Sequence, residues 1–124
     1  MKKGFTLIEI VAAIVIISVL ASIMLAGFSK AKLKGEKNQA IIYLRAMRTA
    51  ERMYFGKWRT YVALANSSAI KTTLDVETQV PGSTFAITAG ATTFSAATTD
   101  ASGKTLTLDE SGNWGGTNTP LPTN

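Results

Sequence analysis

From Phe5 to Phe28 the chain runs for twenty-four residues with no Pro and one charge, Glu9. At 1.5 Å per residue such a helix covers about 36 Å, enough for a hydrocarbon layer of about 30 Å. A membrane-spanning helix is therefore the default reading. A cleaved signal peptide is its rival, since Lys2 and Lys3 supply a basic start. The run is long for the apolar part of a signal peptide, however, and Glu9 stands in its first turns. Phe28 follows Leu25, Ala26 and Gly27 where a lipoprotein leader needs Cys. Lysines flank both ends, at 2 and 3 and again at 30, 32 and 34, so the positive-inside rule gives no orientation.

An ionised carboxylate in hydrocarbon costs about 3 kcal/mol or more, so Glu9 is expected to be protonated or paired. An N-terminal ammonium is the nearest partner; a position at headgroup depth, with the side chain reaching outward, is the alternative. Ser18, Ser22 and Ala26 recur every four residues on one helical face, where small side chains let a second helix approach closely.

The remaining residues, of 124 in all, leave room for one modest domain. The absence of Cys and His removes disulfides, thiol chemistry, most zinc sites and the commonest general base. No catalytic constellation, metal site or cofactor is expected. Residues 30–71 carry ten basic side chains against Glu36 and Glu51, a formal +8, whereas residues 72–124 carry Lys104 against five acids, a formal −4. A basic stem and an acidic head in one chain suit contacts between copies. Arg45, Arg48 and Arg52 could also meet phosphates, but no nucleic-acid recognition motif accompanies them.

Beyond Phe28 no Pro occurs before Pro81. Tyr43, Met47, Ala50, Tyr54, Trp58 and Tyr61 step by three or four, predicting an apolar face, with the arginines opposite. One continuous helix of about 75 Å, from about Phe5 to about Phe55, is expected, with Gly56 a place for it to loosen. After a loop at residues 65–68 and a short helical turn, alternation predicts strands over 84–88, 92–99 and 104–108 as an antiparallel meander with one apolar face. The stem's aromatic side would cover that face in an α+β fold. The polar stretch from Gly115 on reads as an exposed tail.

The string Lys3, Gly4, Phe5, Thr6, Leu7, Ile8, Glu9 resembles the N-terminal signal of type IV prepilins and type II secretion pseudopilins. The resemblance implies that a membrane-embedded prepilin peptidase cuts between Gly4 and Phe5 and methylates the new amine of Phe5. Losing Lys2 and Lys3 takes the formal charge from +5 to +3. It implies that Glu9 meets the terminal amine of a neighbouring subunit as a homo-oligomeric helical filament grows from an inner-membrane assembly platform. The layout is then a leader (1–4), a membrane and filament-core helix (5–28), a stem (29–58), a β-rich head (59–115) and a tail (116–124). The product is a pilus subunit or, alternatively, a pseudopilin acting within the envelope; an anchored exported binding domain is the reading from another class.

Relatives often carry Pro about where Ala26 stands and Gly where Arg59 stands, and this chain has neither. The run from Tyr54 to Tyr61 resembles the family's helix exit, and Leu106 to Trp114 a recurring end of the head. Major pseudopilins bind calcium near the C-terminus, but Asp109, Glu110 and Asn113 lack an evident calcium pattern, and a turn at Ser111 to Asn113 is expected instead.

Overall fold

The computed structural model describes residues Lys3 to Thr123; Met1 and Lys2 of the expected leader and Asn124 of the expected tail lie outside the described residues. The chain divides into two compact units, Met1–Gly35 and Glu36–Asn124. Helix α1 (Leu7–Trp58) begins in the first and ends in the second.

In the first unit, every described residue from Lys3 to Gly35 is exposed, although most of the side chains are Ile, Leu, Val, Ala and Phe. Helical structure passes without interruption through Ala26 and Gly27. With no Pro there, every residue keeps the N–H that the helix ladder requires.

The second unit holds the core. Four antiparallel strands, β1 (Thr84–Ala89), β2 (Phe94–Thr99), β3 (Thr105–Asp109) and β4 (Trp114–Gly116), lie in sequential order. The first three match the expected meander, and the α+β class is the one observed. The middle strand starts two residues later than predicted, because Thr93 still belongs to the turn, its carbonyl accepting the Gly90 N–H at 2.8 Å. Phe85 and Ile87, Phe94 and Ala96, and Leu106 and Leu108 point to one face, where they meet Ala40, Leu44 and Met47 of α1. Burying a Leu, Met or Phe fully stabilises by about 2–3 kcal/mol, so these few contacts dominate the unit's stability.

The buried line on α1 is Ala40, Leu44, Met47 and Glu51 rather than the aromatic series. Tyr43 and Tyr54 flank it half-buried, and Trp58 is exposed. Large rings fit at the margin of a narrow helix–sheet contact, as when Tyr43 meets Phe85 edge-on at 5.9 Å.

The helix does not loosen at Gly56. It runs to Trp58 and stops at Arg59, which adopts the left-handed conformation (φ 59°). A left-handed residue just past a helix is usually Gly, because a Cβ there is crowded. The turn returns Tyr61 to stack on Phe55 at 4.6 Å and meet Phe94 at 4.8 Å, pinning the exit to the sheet. Leu64 then exchanges two backbone hydrogen bonds with Ile87 (2.9 and 2.7 Å) and closes the outer edge of β1. Helix α2 (Ser67–Leu74) is capped by the Asn66 side chain, which accepts the Ala69 N–H at 2.9 Å, and buries Ile70.

Strand β4 was not anticipated, and the stretch beyond it is tied to the rest of the unit. Thr117 and Asn118 both donate their backbone N–H to the Thr105 carbonyl at 2.9 Å. The Lys37 ammonium donates to the carbonyls of Asn118 (3.0 Å) and Pro120 (2.6 Å). Gly116 is required at its place: its φ is 106°, and a Cβ would collide with the backbone of Thr105.

Candidate functional site

Residues Lys3 to Thr6 form no regular element, and Gly4 and Phe5 are both exposed there. Space around Gly4 is open, with no atom within 4 Å of where a Cβ would stand. The expected cleavage position is thus an accessible, irregular segment just before the helix.

Thr6 and Glu9 form a reciprocal cap on α1. The Glu9 Oε2 accepts the Thr6 backbone N–H at 2.7 Å and the Thr6 hydroxyl at 3.0 Å, while the Glu9 N–H donates to the Thr6 Oγ1 at 3.3 Å. The Thr6 carbonyl also accepts from Glu9 and Ile10. Free N–H groups at a helix start attract a carboxylate both by hydrogen bonding and through the helix dipole. Sequence reasoning singled out Glu9 and missed Thr6. The signal was present: Thr, two residues, Glu, then an apolar run is the capping-box pattern.

The three small residues fall within the same exposed helix. The Ser18 hydroxyl donates to the Ile14 carbonyl at 2.7 Å and the Ser22 hydroxyl to the Ser18 carbonyl at 2.8 Å. Their polarity is thereby consumed inside the helix, and with Ala26 they present small, nearly apolar surface. What these residues have in common is one uncovered apolar rod, capped by a carboxylate at its start.

A family profile described as the prokaryotic N-terminal methylation motif matches residues 1–25. Over 65 residues, 52% of this chain, the sequence is 34% identical to the type IV major pilin protein PilA of Myxococcus xanthus (strain DK1622), covering 30% of it. About half of the chain is thus similar to type IV pilins. The chain also shares 31% identity over 77 residues with a fimbrial protein of Neisseria meningitidis serogroup B (strain ATCC BAA-335 / MC58), covering 57% of this chain and 45% of that one. It thus spans less than half the length of both curated relatives. No solved structure matches it.

The second unit uses polar groups for its own construction. Asp109 accepts from the Asn113 backbone (2.8 Å) and side chain (3.1 Å), and Glu110 accepts the Phe94 N–H at 3.2 Å, so the expected turn is built and leads into β4. Glu51, fully buried on α1, accepts the Val62 N–H at 3.1 Å through Oε2, while Oε1 meets no donor. Burial raises its carboxyl above the ordinary range, and the Val62 bond opposes that only in part. Arg48 does not sit opposite the head as predicted: its Nε and Nη2 donate to the Glu110 carbonyl at 3.2 and 3.1 Å.

Proposed function

We propose that this chain is a structural subunit of a type IV pilus, stored in the cytoplasmic membrane as a precursor and built into a helical filament through its N-terminal helix. It is not an enzyme. The observation that carries this reading is the fully exposed apolar helix headed by the Thr6–Glu9 cap, lying inside the segment that matches the methylation motif. An apolar rod of this length is stable only in lipid or among other rods. A filament supplies the second environment when the lipid is left behind.

In this reading the prepilin peptidase severs the Gly4–Phe5 bond and methylates the amine of Phe5. The new ammonium is one residue from Thr6, whose N–H the Glu9 carboxylate already accepts. Both Thr6 bonds fall on Oε2, and Oε1 is the oxygen to receive a neighbouring subunit's ammonium. Pairing would neutralise two charges that hydrocarbon disfavours and set the axial register. Ser18, Ser22 and Ala26 would then lie at close helix–helix approaches.

Mass spectrometry of the mature chain tests the processing, with N-methylated Phe5 as the expected start. An intact Met1, or a cut near Gly27, would overturn it. Electron microscopy of sheared cell surfaces tests the assembly: a pilus subunit gives filaments, whereas a secretion pseudopilin at native levels gives none.

A further inference from the structure

Beside the β3–β4 turn, the second unit has a groove of about 520 Å³ lined by Arg45, Arg48, Ser111 and Trp114, among others. Its two guanidiniums meet no carboxylate of their own chain among the described residues. Arg48 is held by the neutral Glu110 carbonyl, while the Glu110 carboxylate is turned away to the Phe94 N–H. Arg45 lies over the Trp114 ring, 5.8 Å from its centre, and donates to the Thr123 carbonyl at 3.5 Å. Two cations one turn apart that meet no carboxylate among the described residues, with an aromatic wall between α1 and β4, suit a carboxylate ligand.

The same chain carries a matching donor. Asp100 is occupied by Ser102, Lys104 and Asn118, Asp109 by Asn113, Glu51 is buried, and Glu36 is engaged within the chain. Asp75 differs: it ends α2 in the left-handed conformation (φ 56°), exposed, and among the described residues no hydrogen bond reaches its carboxylate, which has only the electrostatic attraction of Lys71. Two residues on, the exposed Glu77 pairs with Lys71 through Oε1 at 2.9 Å.

The fold sets these two features apart. The sheet order is β1-β2-β3-β4, so the groove at β4 lies along one edge, while α2, which packs on β1, brings Asp75 to the other. Complementary patches on opposite edges cannot pair within one copy. Between copies they form a head-to-tail contact, which repeats indefinitely as a helical filament requires.

We propose that the Arg45–Arg48–Trp114 groove of one subunit receives the Asp75–Glu77 corner of a second copy of this chain. This rests on the filament reading above and adds to it a named contact between heads, which sets register by charge while the apolar helices supply adhesion.

The test uses the full chain and counts filaments sheared from cells. Arg45 is the groove residue to reverse, because Arg48 also fastens the β3–β4 turn. Arg45→Glu or Asp75→Lys alone should lower filament yield by about tenfold, and the two together should restore it to within about twofold. A head that merely misfolds would not be rescued by a change at the opposite edge. Since the chain has no Cys, a variant with Arg45→Cys and Asp75→Cys treated with a short bis-maleimide should give a ladder of covalent oligomers. Normal yield from either single reversal, or no recovery in the double, overturns the contact while the wild-type filaments uphold the pilus reading. Normal Arg45→Glu filaments that have lost only retention on immobilised heparin would likewise overturn it, assigning the groove to an anionic polymer. Absence of wild-type filaments would remove the pilus reading and this contact together.

Discussion

Two stretches of α1 are equally helical and opposite in their relation to solvent. Up to Gly35 the helix is mostly apolar and wholly uncovered; from Ala40 one line of its residues, Ala40, Leu44 and Met47, fits against the sheet. The glutamates at positions 9 and 51 follow the same division. Glu9 stands at an exposed helix start and satisfies its donors, whereas Glu51 is sealed in the core with one oxygen unpartnered. Secondary structure is thus the same in both halves, and burial alone assigns one to self-contained folding and the other to association.

The comparison breaks first at Glu9. Glu9→Leu removes both cap and charge, and filament yield should fall by at least about tenfold. Glu9→Gln keeps a group able to reach the Thr6 N–H but cannot pair with an ammonium. An equal loss in the two variants would assign assembly to the charge, and normal Gln filaments would assign it to the cap.

Truncating the apolar residues separates the halves next. Phe85→Ala in the core should destabilise the head by about 3–5 kcal/mol in thermal unfolding of the detergent-solubilised chain. Leu20→Ala, on the exposed rod, should leave that transition unchanged within about 0.5 kcal/mol. A large effect of Leu20→Ala would show the first stretch to be part of the cooperative unit.

Arg59→Gly should raise head stability by about 1 kcal/mol, because glycine takes the left-handed conformation without a Cβ penalty. The neutral change Glu51→Gln sharpens the contrast between the carboxylates through pH. Folding raises the Glu51 pKa, so the folded head holds the proton more tightly than the unfolded chain. The associated stability is full below the unfolded value and is lost as pH rises through the folded one. Melting temperature followed from about pH 4 to about pH 8 should therefore move in favour of the Gln variant as pH rises.

Much of this was legible in the residues. Local patterns revealed the long apolar helix and three strands, because an apolar stretch is a matter of length and composition and a strand shows as alternation. Strand β4 was not legible, since Trp114, Gly115 and Gly116 are too few to show a period and pair only because β3 lies beside them. The end of the helix was misplaced because Gly56 is the visible breaker, whereas Arg59 is driven left-handed by the packing of Phe55, Tyr61 and Phe94. The buried line on α1 was misjudged for a related reason: a helix wheel gives the spacing of a stripe but not which stripe meets the sheet.

The sequence by itself determined that this protein has a long apolar helix at its start and a β-rich head, since each follows from local composition and spacing. Only the tertiary structure decided that Arg45 and Arg48 lie beside the β3–β4 turn and β4 with no carboxylate of a described residue on them, and that the exposed Asp75 follows the helix packed on β1. Those are facts about residues far apart in the chain, and chain order does not carry them: they depend on which strand neighbours which and on which face of the helix the core takes.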